Sequence, residues 1–369
     1  MDSLPQTMRS LVAPRARCTP AEYQIQDMPV PSIAMPTQVL IRIHAASVGP
    51  AELQFMAGFM GRLIVNEYPS KIGSEGSGTV VAVGSEVKAL QVGDEVYGLY
   101  VDKPMFRPPW VPGFVSDYAI TEERFLLRKP PAVSFEEAAG AAGSVVTALQ
   151  TIRRGLALGG LGSLEGKTVF VPAGLGATGS VAIQVAKNVF GASRIITTVS
   201  TAKVPLVERY LPGLVDQVVD YQTQNIHDMV PPGSVDFMYN TTFGTLDDGV
   251  PLLNPKTGIL MSIASVPSKA GAREIIGADR FPWLLGVVLD LCQLLYWWKL
   301  RGTGIQHEHV SGGPQIREDL EWAGEIVARG KVKPVVRSVD LDDLRAVREG
   351  CEATRTGKSG TGKLVIRLE

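Results

Sequence analysis

Cysteine is scarce in this chain. Cys18, Cys292 and Cys351 are the three among 369 residues; they lie far apart and form no CxxC pair. Thiols so dispersed exclude a disulfide frame and fit a reducing compartment. Net charge is nearly absent too, with 36 Lys and Arg against 37 Asp and Glu. That balance supplies no field for nucleic acid or an anionic surface, so no nucleic-acid partner is expected. The opening MDSLPQTMRS has neither a basic-then-apolar pattern nor an Arg-rich amphipathic one, and the expected location is cytoplasmic. Internal repeats and low-complexity tracts are missing as well.

Long apolar runs are absent save one. FPWLLGVVLDLCQLLYWW, residues 281–298, is apolar nearly all round and about as long as a spanning helix. It carries Asp290 and Gln293 near its middle and Pro282 near its start. It reads first as a buried helix or subunit contact and second as an interfacial membrane helix. A transmembrane span is the last reading and is not expected.

What is present is ordinary for a soluble globular chain, with 45% hydrophobic and 20% charged residues. Its length exceeds what one hydrophobic core usually supports, which predicts two domains. The first 130 or so residues are rich in short β-branched runs closed by glycine, such as QVLIRIHAASVG (38–49), GSGTVVAVGSEV (76–87) and VGDEVYGL (92–99). Many short strands with Gly and Pro turns predict a barrel-like β domain. The proline-rich YVDKPMFRPPWVPGF (100–114) reads as a loop.

The texture changes near residue 134. SFEEAAGAAGSVVTALQTI (134–152) is helical in pattern, with Ser134 as N-cap and Glu137 completing a capping box; Gly140 and Gly143 predict a break. A βαβ rhythm follows: strand 168–172, helix 179–190, strand 194–199, helix 202–210, and strands 216–219, 235–239 and 258–263. Strands alternating with helices at this spacing predict a parallel, doubly wound sheet and an α/β fold. GIQHEHV (304–310) and GKLVIRL (362–368) read as strands, and 315–332 as an amphipathic helix.

Within this rhythm VFVPAGLGATGSVAIQVAKNVF (169–190) holds a full GxGxxG at Gly174, Gly176 and Gly179. The first glycine permits a tight turn, the second lets main chain approach a pyrophosphate, and the third lets helix and strand pack closely. With Ala177 and Thr178 they present the N–H groups and positive end of a helix to an anion. A strand before and a helix after make the motif specific for a dinucleotide. NAD sites place a carboxylate about 20 residues further on. Here TTVSTAKVPLVE (197–208) has none before Glu208. Ser200, Thr201 and Lys203 offer hydroxyls and a cation instead, which suit a 2′-phosphate and favour NADPH. Asn240 and Thr242 follow strand 235–239, at the strand ends where open α/β sheets meet their ligands. His307 and His309 share one face of a strand; a surface or interface role is preferred over a metal clip, for want of a third ligand.

Seven blocks in order carry a family resemblance: VLIRIHAASVGPAELQFMAG, YPSKIGSEGSGTVVAVGSEVKALQVGDEVYG, SFEEAAGAAGSVVTALQTI, the GLGATG turn, VVDYQTQNI, GILMSIAS and GTGKLVIRLE. The chain resembles the medium-chain dehydrogenase/reductase superfamily, in its zinc-free quinone oxidoreductase and enoyl reductase branch. The resemblance implies a GroES-like catalytic domain at 1–145, completed by 305–369, and a Rossmann NADPH domain at 146–304, with an active site in the cleft between them. It implies hydride delivery from NADPH to a quinone or to the β-carbon of a conjugated carbonyl. It places Thr147 beside the cofactor phosphates, Tyr221 near the adenosine end, and the Ser262–Ile263 main chain against the nicotinamide carboxamide. For Thr147 and Tyr221, a structural role in the helix or core is the competing reading.

Zinc-dependent relatives have cysteine near Gly49 and histidine where Ser74 stands; Glu75 alone cannot hold zinc, and none is expected. The quinone reductases carry asparagine at Gly49 and often a tyrosine near Met60. With that tyrosine missing, no proton donor is assigned, and Tyr100 is the one weak candidate. Ser47, Phe59, Met60 and Tyr100 are expected to line the substrate pocket from the first domain. Tyr296 and Trp297 fall where relatives place a pocket-capping or dimer-contacting segment, implying a bulky apolar substrate and a homodimer. Two other readings stay open: a biosynthetic enzyme catalysing a different step, even a non-redox one, on a lipophilic intermediate, and a non-enzymatic NADPH-binding or membrane-associated protein.

Overall fold

Alternation in QVLIRIHAAS becomes strand Gln38–Ser47, which buries Val39, Ile41 and Ile43 and turns Arg42 outward. The computed structural model describes residues 4–59, 67–101, 113–358 and 360–369. Its contacts divide the chain into Met1–Gly143 with Pro314–Ala328 and Pro334–Glu369, and Ser144–Gly313 with Arg329–Lys333.

In the first unit Gln38–Ser47 pairs antiparallel with Glu75–Val83, with Tyr118–Glu122 and with the C-terminal strand Lys363–Arg367. Irregular register at Leu40/Ile41 and Ile43/Ala45 bends it, as bulges do in closed or strongly curved sheets. Leu11, Ile41, Ile43, Val80, Phe114 and Ile366 meet in the core. Non-adjacent segments therefore share one hydrophobic interior, and the chain's last strand is needed to complete it. The capping box forms: the Ser134 hydroxyl accepts from the Glu137 N–H at 3.2 Å, and Glu137 accepts from the Ser134 N–H at 3.2 Å. Helix Phe135–Ala139 ends on Gly140, and a new helix runs Ala142–Leu158, so the break falls where the glycines predict it.

The second unit holds six parallel strands, numbered β1 (Thr168–Val171), β2 (Arg194–Val199), β3 (Gln217–Asp220), β4 (Phe237–Asn240), β5 (Ile259–Ser262) and β6 (Gln306–His309). Their spatial order is β3-β2-β1-β4-β5-β6, the order of doubly wound dinucleotide-binding sheets. Val169, Val171, Ile195, Phe237, Met238 and Ile259 are buried, the continuous apolar character expected of strands covered on both faces. Between β1 and β4 the direction of winding reverses, and this switch point opens beyond the strands' carboxyl ends.

Strand β6 pairs parallel with β5, Ile259 opposite Gln306 and Ser262 opposite His309. The return to the first unit therefore begins at Pro314 and not at 305. Residues 329–333 belong to the second unit as well. The Gln184 side chain exchanges hydrogen bonds with the Lys333 main chain at 2.8 and 2.9 Å, and Asn188 donates to the Lys331 carbonyl at 2.7 Å.

Helix Trp283–Leu300 departs from the buried-helix half of its first reading. Only 11% of this apolar stretch is buried, so it is not an interior helix of the chain.

Candidate nucleotide-binding site

The turn after β1 is shaped by three glycines with different duties. A Cβ on Gly174 would lie 2.1 Å from the Thr197 hydroxyl, and one on Gly179 would lie 2.3 Å from the Ala173 carbonyl oxygen. Both are demanded by the chain's own packing. A Cβ on Gly176 would meet only the Ala173 oxygen, at 3.1 Å. Gly176 is the N-cap of helix Ala177–Asn188, has an ordinary φ of −70° and brings no capping side chain. Its missing side chain leaves the front of the helix bare, where the first N–H groups lack intrahelical partners. This cradle fits a diphosphate. Ala173, with φ at +53°, holds the turn in the left-handed region that few non-glycine residues adopt.

Neighbouring strand ends fasten the turn. The Ala173 and Gly174 N–H groups donate to the Thr198 hydroxyl and carbonyl at 3.2 and 3.3 Å. Thr241, directly after β4, donates its hydroxyl to the Pro172 carbonyl at 2.6 Å. Thr198 and Thr241 are positioning residues that sequence reasoning passed over; β-branched hydroxyl residues at strand ends are too common to stand out.

Ser200 caps a short 3₁₀ turn after β2, Thr201 is exposed, and Lys203 is partly buried, which lowers its pKa. The structure also brings a carboxylate here. Val199 pairs with Asp220 at the carboxyl ends of β2 and β3. Asp220 accepts from the Thr201 side chain and from the Gln222 N–H at 3.0 Å, and these bonds hold its pKa below the usual carboxylate range. Nothing along β2 itself signals this carboxylate, because it arrives from the adjacent strand. Tyr221 beside it is 60% exposed, so it is not packed on the core.

At the ends of β4 and β5 the Asn240 amide donates to the Ser262 hydroxyl at 3.0 Å, and both residues are fully buried. Their side chains act inside the fold: Ser262 accepts from the Ala264 N–H at 3.1 Å, and Asn240 accepts from Thr245. Thr242 lies 3.1 Å from Thr245, hydroxyl to hydroxyl. The Ile263 N–H donates to the Asn240 carbonyl at 3.1 Å, so that donor is already engaged. Thr147 meets Gly312, where an added Cβ would lie 2.6 Å from its hydroxyl.

Other expected residues fall elsewhere. Ser47 is 1% exposed and lies 3.4 Å from Glu75, hydroxyl to carboxylate, so it lines no open space. Phe59 is exposed, and Met60 lies outside the described residues. Tyr100 is partly buried with its ring edge-on to Phe125, centroids 5.3 Å apart. Tyr296 and Trp297 border a hollow of about 460 Å³ with Gln293, Leu300, Ile305 and His307. His307 and His309 are half-buried: desolvation lowers both pKa values, that of His309 to about 4, and the Tyr296 ring lies 5.0 Å from the His307 ring.

In the first unit the zinc-type positions hold other chemistry. Gly49 has no side chain. The Ser74 hydroxyl donates to Glu52 at 3.3 Å, and the Gly73 N–H donates to the same carboxylate at 2.6 Å. Burial pushes Glu52 up to about 7. Glu75 binds the Gly143 N–H at 2.9 Å and pairs with Lys363. Among the described residues no group of three His, Cys, Asp or Glu side chains converges, and these residues do not fit zinc.

Sheet order and glycine turn define the second unit as a Rossmann-type nucleotide fold. Comparison with known proteins extends the assignment to both units. Residues 35–131 match the alcohol dehydrogenase GroES-like domain and residues 215–366 the zinc-binding dehydrogenase family. A tomato 2-methylene-furan-3-one reductase is 36% identical over 204 residues, 55% of this chain and 49% of that protein. A chloroplastic NADPH-dependent alkenal/one oxidoreductase of Arabidopsis thaliana is 33% identical over 242 residues, 66% of this chain and 59% of that protein. The chain thus spans about half the length of these curated relatives. The quinone oxidoreductase structure of Coxiella burnetii superposes with a TM-score of 0.76 at 22% identity, covering 98% of this chain and 100% of that one, and shares the fold. The chain belongs to the medium-chain dehydrogenase/reductase superfamily.

Proposed function

We propose that the protein is an NADPH-dependent, zinc-independent reductase of quinones or α,β-unsaturated carbonyl compounds of apolar character. The observation that carries this reading is the bare helix front at Gly176, whose side-chain space the fold itself hardly uses. Bound NADPH would supply the hydride, while the protein supplies position and electrostatics.

The main chain of Gly174–Gly179 would hold the diphosphate, with Ala177 and Thr178 at the helix front. Ser200, Thr201 and Lys203 would receive the 2′-phosphate, because a partly desolvated ammonium on the same short turn as two hydroxyl residues matches a dianion better than a neutral ribose. Asp220 accepts from the Thr201 side chain and from the Gln222 N–H, so at this strand end the preference for the 2′-phosphate rests on Lys203 and Ser200. Asn240 and Ser262 would act by fixing the β4 and β5 ends, and Tyr221 by stacking from its exposed position. NADPH in the name of the Arabidopsis relative supports the cofactor, and both relatives' names support a conjugated ketone or aldehyde. That relative is chloroplastic, and a cytoplasmic place for this chain is part of the proposal. Zinc independence rests on the donor set at Gly49, Ser74 and Glu75.

Calorimetry with NADPH and NADH, followed by loss of reduced-nicotinamide absorbance with a panel of quinones and enones, tests the reading. Tighter binding of NADPH and turnover that survives a chelator are expected. Absence of heat with either nucleotide would sink it.

A further inference from the structure

Helix Trp283–Leu300 is turned inside out. Toward the body it presents buried Gly286 and Leu289 together with its polar groups. The Gln293 amide donates to the Val266 and Pro267 carbonyls at 3.0 and 3.2 Å, and the Tyr296 oxygen accepts from the Val266 N–H at 3.0 Å. Outward stand its largest apolar side chains. Trp283, Leu284, Leu291, Leu295, Trp297 and Trp298 are each more than half exposed. Isolated exposed leucines need no explanation, but a contiguous apolar face of this size on one helix marks an interaction surface.

Charge says what covers it. The helix has two ionised side chains, and both are drawn sideways: Asp290 to Lys269 at 3.1 Å and Lys299 to Asp247. Around the helix, residues 268–303 carry five cations (Lys269, Arg273, Arg280, Lys299 and Arg301) against three carboxylates (Glu274, Asp279 and Asp290), with Asp247, the partner of Lys299, a fourth, in a chain whose net charge is −1. Tryptophans stand at both ends, as at lipid–water boundaries. A second copy laid on this face would double that small cationic excess, whereas an anionic lipid surface complements it. The hydrogen bonds to residues 266 and 267 hold mid-helix against the protein, so the helix lies flat and does not cross.

We propose that this helix docks the protein on an anionic bilayer surface, its tryptophans and leucines inserted to the level of the acyl boundary and its flanking cations among the headgroups. A helix so placed buries one face to a depth of about 5–10 Å.

The full chain is floated with vesicles of phosphatidylcholine alone and of phosphatidylcholine with phosphatidylserine. Flotation with the phosphatidylserine vesicles, weaker with the neutral ones and falling with added salt, is expected. Burial of one leucine is worth about tenfold or more in partitioning, so Leu291→Glu with Leu295→Glu should lower the bound fraction about a hundredfold while the melting temperature holds. In the unmodified chain, brominated lipid in the phosphatidylserine vesicles should quench tryptophan fluorescence. The proposal is overturned if the chain stays unbound to both vesicles, if the double variant floats unchanged, or if the face instead proves to hold a dimer that the double variant splits.

Discussion

Glu75 and Lys363 form an ion pair whose side chains are only 7% and 12% exposed. It ties strand Glu75–Val83 to the last strand of the chain, and the Gly143 N–H bound to the same carboxylate ties in the start of helix Ala142–Leu158. A carboxylate at a helix start is also favoured by the helix dipole. The groups are 288 residues apart in sequence, so the pair exists only after both halves of the first unit have met.

Removing one partner strands the other. Lys363→Met leaves a buried carboxylate uncompensated and should cost about 3–5 kcal/mol, while Glu75→Gln added to it should recover part of that loss. Urea unfolding of the three proteins checks this. A single-variant loss near zero would mean that water already solvates the pair.

The glycines of the turn separate folding from binding. Gly176→Ala should leave the melting temperature within the range of a neutral substitution and weaken NADPH binding by about tenfold or more. Gly179→Ala should instead lower thermal stability, because its Cβ would meet the Ala173 oxygen at 2.3 Å. Thermal melts paired with calorimetry distinguish the two. Equal loss of stability in both variants would contradict the division of duties.

Cofactor choice should reside at the end of β2. Lys203→Ala should weaken NADPH binding about tenfold and leave NADH nearly untouched, since only the former carries the 2′-phosphate. Dissociation constants for both nucleotides measure this, and parallel losses would place Lys203 elsewhere in function.

Two desolvated groups, buried Glu52 and half-buried His309, should bend the pH profile of stability in opposite senses. Glu52 has a folded pKa of about 7, above its ordinary 4.5. Its contribution is present below 4.5 and lost as pH rises through 7, on the order of 3 kcal/mol. Glu52→Gln should flatten that slope. His309 has a folded pKa of about 4, below its ordinary 6.5, so the unfolded chain takes up the proton first. Its contribution is present above 6.5 and lost as pH falls toward 4, and His309→Gln should flatten that limb. Melting temperatures across pH 4–8 for the parent and both variants resolve the two.

Local signals were legible in the residues themselves. The capping box at Ser134, the break at Gly140 and the GxGxxG between strand and helix depend on neighbours within a few positions, and they stand where the pattern places them. Asp220 was not legible, because its place beside Thr201 comes from the pairing of β2 with β3. Nor was the duty of Asn240 and Ser262: a polar residue at a strand end looks the same whether it faces ligand or interior. Ser47 is likewise a strand-end polar residue, and the fold turns it inward to Glu75.

By its sequence alone, then, this chain determined its α/β class, its two-part plan and the location of its GxGxxG turn, because periodicity and glycine placement act at short range. Only the tertiary structure decided which glycine of the turn its own packing does not demand, which carboxylates are buried, and which face of helix Trp283–Leu300 looks outward. Those depend on contacts between distant segments. An apolar helix reads alike whether its leucines meet a core or the outside, until Gln293 and Tyr296 find their partners at 266 and 267.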